Sequence, residues 1–376
     1  MSQSAAARRA RPRVVVKVGT STLTGGGERL SPPRMLDLVR QIATLRAQGR
    51  DVLLVTSGAQ QAGRERLARK GEAKTIPFKQ MLAAVGQGRL MQLWEQYFEM
   101  YDIVVAQVLL TRQDIEDRRR YLNARDTLDA LLIEGIVPIV NENDAVATEE
   151  IKVGENDSLS AMVANLIDAD LLVLLTDTDG LYTADPNANP DARLIERVER
   201  IDERIYELAT GSQSGLGTGG MRTKIVAADM AVRTGTSVVI ANGGRPDVLL
   251  DVCAQRGPAT WFPARITPHE GRKRWLLAQG LTSNSVSVDE GAARALVGRG
   301  RSLLPVGIVS IAGEFDRGAI VNVRDPGGKE IARGLANYSS RELAAILGAR
   351  GAQIADILGY DYGPEFIHRD KLALLS

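Results

Sequence analysis

Lys17 breaks the apolar run Val14-Val15-Val16-Lys17-Val18, and Gly19-Thr20-Ser21 follows it. A buried, unpaired ammonium is costly. Such a lysine therefore reaches solvent from the sheet end, pairs with a carboxylate, or meets an anion at the carboxyl end of its strand, where open α/β sheets bind ligands. Gly19 would let backbone approach that ligand closely. A second stretch, Thr56-Ser57-Gly58-Ala59, places small residues at the start of a helix, where backbone amides cradle anions; Ser57 reads equally well as a cap or a turn residue. Two acidic clusters come next, Asn141-Glu142-Asn143-Asp144 and Glu155-Asn156-Asp157-Ser158. Asp157 or Ser158 would suffice as an N-cap, and seven Asp, Asn and Glu side chains exceed what one cap needs. They are suited to an amino acid's ammonium and carboxylate, to orienting cationic groups, or to a metal.

Thr176-Asp177-Thr178-Asp179-Gly180-Leu181-Tyr182 forms another polar strand end, suited to a nucleotide's ribose or base. The run from Gly211 closes on Thr218-Gly219-Gly220-Met221-Arg222-Thr223-Lys224. It reads as a phosphate cradle at a helix N-terminus with a lysine aimed at it. The order Gly-Lys-Ser/Thr of a Walker loop is missing, and so is a Gly-x-Gly-x-x-Gly after the first strand, which argues against a nicotinamide-dependent dehydrogenase.

Two lysines, glycine-rich cradles and an acidic cluster suit phosphoryl transfer, which rests on positioning and charge neutralisation. Only two histidines exist, His269 and His368, and one cysteine, Cys253. An alcohol acceptor benefits from a general base, whereas a carboxylate acceptor is already ionised at pH 7. Cations must then offset the repulsion between an anionic nucleophile and an anionic phosphate; two lysines and Mg²⁺ would do so.

These residues need elements to hold them. The chain has 376 residues, enough for two or three domains. Lys+Arg 47 against Asp+Glu 46 leaves a net charge of +1, giving no bulk drive toward nucleic acid or membrane. A lone cysteine excludes an internal disulfide and fits a reducing cytosol. The basic opening MSQSAAARRARPR leads to an apolar stretch cut short at Lys17; a secretory signal needs ~7–15 apolar residues and a membrane span ~20. A cytoplasmic protein with a mobile arm over residues 1–12 is expected.

Strand-like runs at Val14–Val18, Val52–Val55, Ile103–Leu110, Ile136–Val140, Leu171–Leu175 and Val238–Ile240 alternate with helical stretches at Pro32–Gln48, Phe78–Met100, Tyr121–Glu134, Ser158–Asp168 and Met221–Arg233. Continuous apolar strands imply coverage on both faces, hence an open αβα sandwich with a mainly parallel sheet over residues 13–258. A linker is expected over 259–280, a small β-rich domain over 281–362 and a tail over 363–376. The short strands of the second domain are Ser285–Val288, Gly307–Ile311, Ala319–Val323 and Glu330–Leu335.

Taken together, the quoted motifs of the first domain are collinear and resemble the amino acid kinase superfamily, most closely its branch that phosphorylates glutamate for proline biosynthesis. Gly307-Ile308, Gly313–Gly318 and Arg333–Ser339 resemble a PUA domain. The resemblance implies ATP-dependent phosphorylation of the γ-carboxylate of L-glutamate to L-glutamyl 5-phosphate, with ATP and Mg²⁺. It implies that Lys17 and Lys224 stabilise the transferring phosphoryl group and that Asp157 orients them. Ser57, Asp144 and Asn156 would bind glutamate. Lys17, Thr176, Asp177, Thr218, Gly219, Gly220, Met221, Arg222, Thr223 and Lys224 would hold the nucleotide, with no residue assigned to the metal. It further implies a homo-oligomer, dimer or tetramer, inhibited by proline in the glutamate region. Glu155 stands where many members have Asp, which weakens a direct metal role there.

The alternatives are a sister kinase acting on acetylglutamate, aspartate or uridylate, or a PUA-containing RNA-binding protein. Asp144, Asn156 and the appended domain favour the glutamate branch. From Arg265 to Asp361 there are 13 Lys/Arg and 10 Asp/Glu, a weak footprint for RNA.

Overall fold

A computed structural model describes residues 11–69, 75–147, 155–210, 220–267, 270, 271, 273, 276, 277 and 282–375. The chain forms two compact units, Met1–Ile115 with Ala124–Pro268, and Glu116–Asn123 with His269–Ser376. The first is built on seven strands: β1 (Arg13–Val18), β2 (Asp51–Thr56), β3 (Val105–Leu110), β4 (Val137–Glu142), β5 (Leu171–Thr176), β6 (Ser237–Asn242) and β7 (Thr260–Phe262). Their order is β3-β4-β2-β1-β5-β6-β7. All neighbours are parallel except the edge pair β6–β7.

The helices of this unit are α1 (Thr20–Thr24), α2 (Pro32–Ala47), α3 (Ala59–Arg66), α4 (Ile76–Glu99), α5 (Arg112–Glu116), α6 (Arg118–Ile133), α7 (Glu155–Leu166), α8 (Glu203–Thr210), α9 (Met221–Thr234) and α10 (Val248–Cys253), with the 116–123 end of the α5–α6 stretch falling to the second unit. Met35, Leu38, Val39, Ile42 and Leu45 of α2 recur at helical spacing and join Leu90, Trp94 and Phe98 of α4 in one apolar layer. Val14, Val16 and Val18 of β1 point into that layer. Because strand side chains alternate, Val15 and Lys17 face the opposite side of the sheet, the side on which α7 packs against α9 and both β1 and β5.

Chain direction decides where ligands meet the sheet. From β1 the chain builds β2, β3 and β4 outward on one side, then returns to place β5 on the other flank of β1. The switch point therefore lies between β1 and β5, and the crevice beyond their carboxyl ends is the expected binding place. There α7 and α9 begin.

The contact between α3 and α4 is unusually close. A Cβ on Gly86 would lie 1.8 Å from the Ala59 carbonyl oxygen and 2.3 Å from the Gly63 nitrogen, and one on Gly63 would lie 2.0 Å from the Leu82 carbonyl oxygen. Two glycines thus let backbone touch backbone.

The second unit carries a five-stranded sheet in the order β12-β11-β10-β8-β9, from β8 (Ser285–Val288), β9 (Ile308–Ala312), β10 (Ile320–Arg324), β11 (Glu330–Leu335) and β12 (Leu372–Leu374). β8 and β10 run parallel, and the other pairs are antiparallel. Val286, Val321, Val323, Tyr338, Leu343 and Phe366 are among the residues of its core.

The two-domain α/β architecture agrees with the expectation, and its limits need revision in three places. Residues 260–262, expected in the linker, form β7 and pair with β6. Residues 372–374, expected in a tail, form β12 and pair with β11. Three-residue strands leave too short a period to read. Glu116–Asn123 belongs to the second unit although α6 continues past Asn123 into the first. The first ten residues of the expected arm over 1–12 and part of the expected linker over 259–280 lie outside the described residues.

Replacing Gly86 with Ala forces two helix backbones apart. Overpacking of this kind costs ~1–3 kcal/mol, so Gly86→Ala is expected to lower the melting temperature by several degrees. Gly88→Ala, where a Cβ meets nothing within 4 Å, should be neutral or slightly stabilising, since alanine is the better helix former. Equal melting temperatures for the two variants would contradict the packing.

Candidate active site

Lys17 is the fifth residue of β1, and Asp157 the third of α7. The β1 pleat sends the Lys17 side chain toward the start of α7, where its Nζ lies 2.7 Å from Asp157 Oδ1. Lys224, the fourth residue of α9, brings its Nζ to 3.3 Å from Asp157 Oδ2. Thr223 donates its hydroxyl to the same oxygen at 2.6 Å. All three charged groups are buried: Asp157 is 0%, Lys224 3% and Lys17 5% exposed. Two ammonium groups thus share one carboxylate.

Burial raises a carboxyl's pKa and so opposes ionisation of Asp157. The two ammonium groups, with hydrogen bonds from Lys17 and Thr223, outweigh this and hold the group at about 2. Burial pushes the Lys224 ammonium below its ordinary range, Asp157 pulls it back up, and Lys17 lowers it again. Asp177 raises it as well, and an anionic ligand would add to the attraction that both ammoniums feel.

Beside this cluster lies a row of amides. Asn156 follows the first residue of α7, and its Nδ2 lies within hydrogen-bonding distance of three acceptors: Ser57 Oγ at 2.8 Å, the Thr56 carbonyl at 3.1 Å and Asn141 Oδ1 at 3.1 Å. Asn141 is buried at the end of β4 and donates through Nδ2 to Gln87 Oε1 of α4 at 2.8 Å. Asn156 Oδ1 is buried and accepts no hydrogen bond among the described residues. A buried acceptor without a donor is costly, and here it invites an N–H group from a ligand.

Ser57 gains its place through Gly58, whose φ of +105° turns β2 directly into α3. A side chain at Gly58 would also press on Leu23 Cδ1 at 3.2 Å. Asp144 lies in the turn after β4.

Beyond the end of β5, Thr176 donates to Asp177 Oδ1 at 3.0 Å. Both line a cavity with Tyr182, Pro186, Leu208 and Met221. Its lining mixes polar and apolar side chains, which suits a nucleoside.

Of the residues singled out in the sequence, the structure unites Lys17, Asp157, Thr223 and Lys224 in one cluster, joins Ser57 to Asn156, and sets Thr176, Asp177 and Met221 around one cavity. Gly220 precedes α9 as its cap. Arg222 stands apart from these groups: it is exposed and lines a separate groove with Tyr206 and Thr210. Thr218 and Gly219 lie outside the described residues. Asn141 and Gln87 were missed as site residues. Asn141 sits in a stretch already marked, and only its burial separates it from its polar neighbours. Gln87 has no sequence signal beyond the glycines flanking it. No cluster of three His, Cys, Asp or Glu side chains able to hold a metal occurs among the described residues.

A parallel sheet with two ammonium groups converging at its switch point defines an anion-handling enzyme of the phosphoryl-transfer type. The amino acid kinase family description matches residues 12–242, and the PUA domain description matches residues 284–358. Glutamate 5-kinase of Sodalis glossinidius is 54% identical over 361 residues, covering 96% of this chain and 98% of that protein. Glutamate 5-kinase of Photobacterium profundum is also 54% identical, covering 96% of each chain. Glutamate 5-kinase of Herpetosiphon aurantiacus is 53% identical, covering 96% of this chain and 97% of that protein. The chain belongs to the amino acid kinase family, in its glutamate 5-kinase branch, and ends in a PUA domain.

Asp157→Asn keeps the shape and removes the charge that separates two buried ammoniums. Breaking one side of a buried ion pair costs ~3–5 kcal/mol, a loss that urea unfolding at pH 7 should register. Acid gives a second signature. Asp157 sits below its ordinary 3.8 in the folded protein, so its stabilisation is complete above pH ~4 and disappears as the pH falls toward 2, about 2 kcal/mol in all. The parent should show that slope and Asp157→Asn should lack it.

Proposed function

We propose that this protein transfers the γ-phosphoryl group of ATP to the γ-carboxylate of L-glutamate, giving L-glutamyl 5-phosphate and ADP, the first step of proline biosynthesis. A carboxylate oxygen attacks the γ-phosphorus, the new O–P bond forms as the bond to the β-phosphate oxygen breaks, and ADP leaves. The nucleophile is already ionised at pH 7, so no proton has to be removed. That accords with a cluster that holds two ammoniums and no histidine.

The observation that carries this reading is the Lys17–Asp157–Lys224 bridge. Lys17 and Lys224 bear on the transferring phosphoryl group and the leaving oxygen, where negative charge gathers and where fixed cations are most effective. Asp157 holds both in place and is a positioning residue. Asn156 accepts the α-ammonium of glutamate through its unpartnered Oδ1, while Ser57 and Asp144 complete the amino acid pocket. Thr176, Asp177, Met221 and the backbone leading into Lys224 receive the nucleotide.

Mg²⁺ travels with the phosphates. This ion keeps most of its water and needs only one or two carboxylates; Asp177 is the carboxylate that would hold it. Bound there, the ion would neutralise phosphate charge. Family membership further supports a cytoplasmic homo-oligomer, dimer or tetramer, that proline inhibits by competing in the glutamate pocket. No helix among the described residues is long and apolar enough to cross a membrane.

ADP release measured with glutamate, aspartate, acetylglutamate and UMP, each with and without Mg²⁺, tests the assignment. Turnover should be restricted to glutamate plus Mg²⁺; turnover with one of the other acceptors and not with glutamate would move the chain to a sister activity. Lys17→Ala and Lys224→Ala should each lower kcat by about 100- to 1,000-fold, the usual cost of removing one electrostatic stabiliser of a transition state. Near-parental turnover in either variant would take that lysine out of the mechanism.

A further inference from the structure

We propose that Gln87, on α4, is a positioning residue that sets the glutamate affinity of the site through Asn141 and Asn156 without touching the substrate. The inference rests on the reading of Asn156 as a glutamate ligand. Four side-chain amides stand in line. Asn156 donates to Asn141 Oδ1 at 3.1 Å, Asn141 donates to Gln87 Oε1 at 2.8 Å, and Gln87 donates to Gln107 Oε1 at 3.2 Å.

The line has a direction, and a backbone group fixes it. The Thr56 carbonyl can only accept, so Asn156 must turn its Nδ2 toward it. The amide then presents Nδ2 to Ser57 and Asn141 and leaves Oδ1 over, buried and without a donor among the described residues. For Asn141 to accept from Asn156 it must face Oδ1 inward, which directs its own Nδ2 at position 87. An acceptor is therefore required there, and Gln87 supplies one. The Gly86 contact seats the neighbouring residue of α4 directly on the Ala59 and Gly63 backbone, so position 87 has little freedom to move away.

Donor and acceptor character at position 87 can be exchanged. Gln87→Glu keeps an acceptor facing Asn141. Gln87→Lys offers only donors, so Asn141 must turn over to meet it, and two donors then oppose each other between Asn141 and Asn156. Charge alone predicts the reverse order, because an added cation favours anionic glutamate and an added anion repels it. This makes the pair discriminating.

The experiment is steady-state kinetics on the full chain with each substrate varied, beside thermal melts. For Gln87→Lys the glutamate KM should rise about tenfold or more, with the ATP KM unchanged. Gln87→Glu should keep the glutamate KM within about threefold of the parent. Should Gln87→Lys fail to fold, Gln87→Met, which has no strong acceptor, replaces it with the same expected direction. A glutamate KM unmoved in the donor-only variant, a parallel rise in the ATP KM, or a larger defect in Gln87→Glu than in Gln87→Lys would each overturn the proposal. Asn156→Ala serves as reference: if it raises the glutamate KM and Gln87→Lys does not, only the relay is wrong, whereas an unmoved KM in Asn156→Ala removes the underlying reading as well.

Discussion

One buried carboxylate organises the charge at the end of this protein's parallel sheet. Asp157 is fully buried, ionised, and shared by two ammonium groups that come from residues more than 200 positions apart in the chain. Two cations at close range repel each other strongly in a medium poorer in water than the surface. The carboxylate makes their approach tolerable without cancelling it. What remains is a pair of ammoniums sharing one carboxylate at the end of a parallel sheet, held by a strand on one side and two helix starts on the other. The cluster is built to be completed from outside.

That arrangement explains which parts of the fold are fixed. β1 must lie between β2 and β5 so that its lysine emerges at the switch point, and α7 and α9 must pack on each other so that Asp157 meets Lys224. The amide row beside them depends on different elements, the ends of β2 and β4 and the length of α4. The two halves of the site meet at adjacent residues, Asn156 and Asp157. One turn of α7 thus carries the carboxylate that joins the two ammoniums and, one residue before it, the amide that enters the hydrogen-bonded row.

Much of this was legible before any coordinates. Lys17 announced itself by standing inside a valine run, and the continuous apolar strands required covering layers. Residue type and motif order were sufficient for the sheet, the two-part architecture and most of the charged cluster, because buried charges and parallel strands leave strong marks in composition. The amide row left none. Gln87 looks like any polar residue on a long helix, and its importance lies in which atom of its amide faces inward, a matter of geometry that residue type cannot express. Arg222 also lies within a motif, and α9 carries its side chain outward beside Tyr206 and Thr210, a placement that residue type does not express. β7 and β12 escaped for a simpler reason, since three residues are too few to establish a pattern.

The alternation of β1 has a consequence for how such chains can change. Val14, Val16 and Val18 feed one apolar layer while Lys17 enters the other side, and β1 is locked in register to strands on both flanks. Inserting or deleting a single residue between Arg13 and Lys17 would swing the ammonium into the oily stratum beneath α2 and lift a valine into the reaction chamber. Length drift in this segment is therefore closed to evolution one residue at a time, whereas side-chain exchange among its valines stays open.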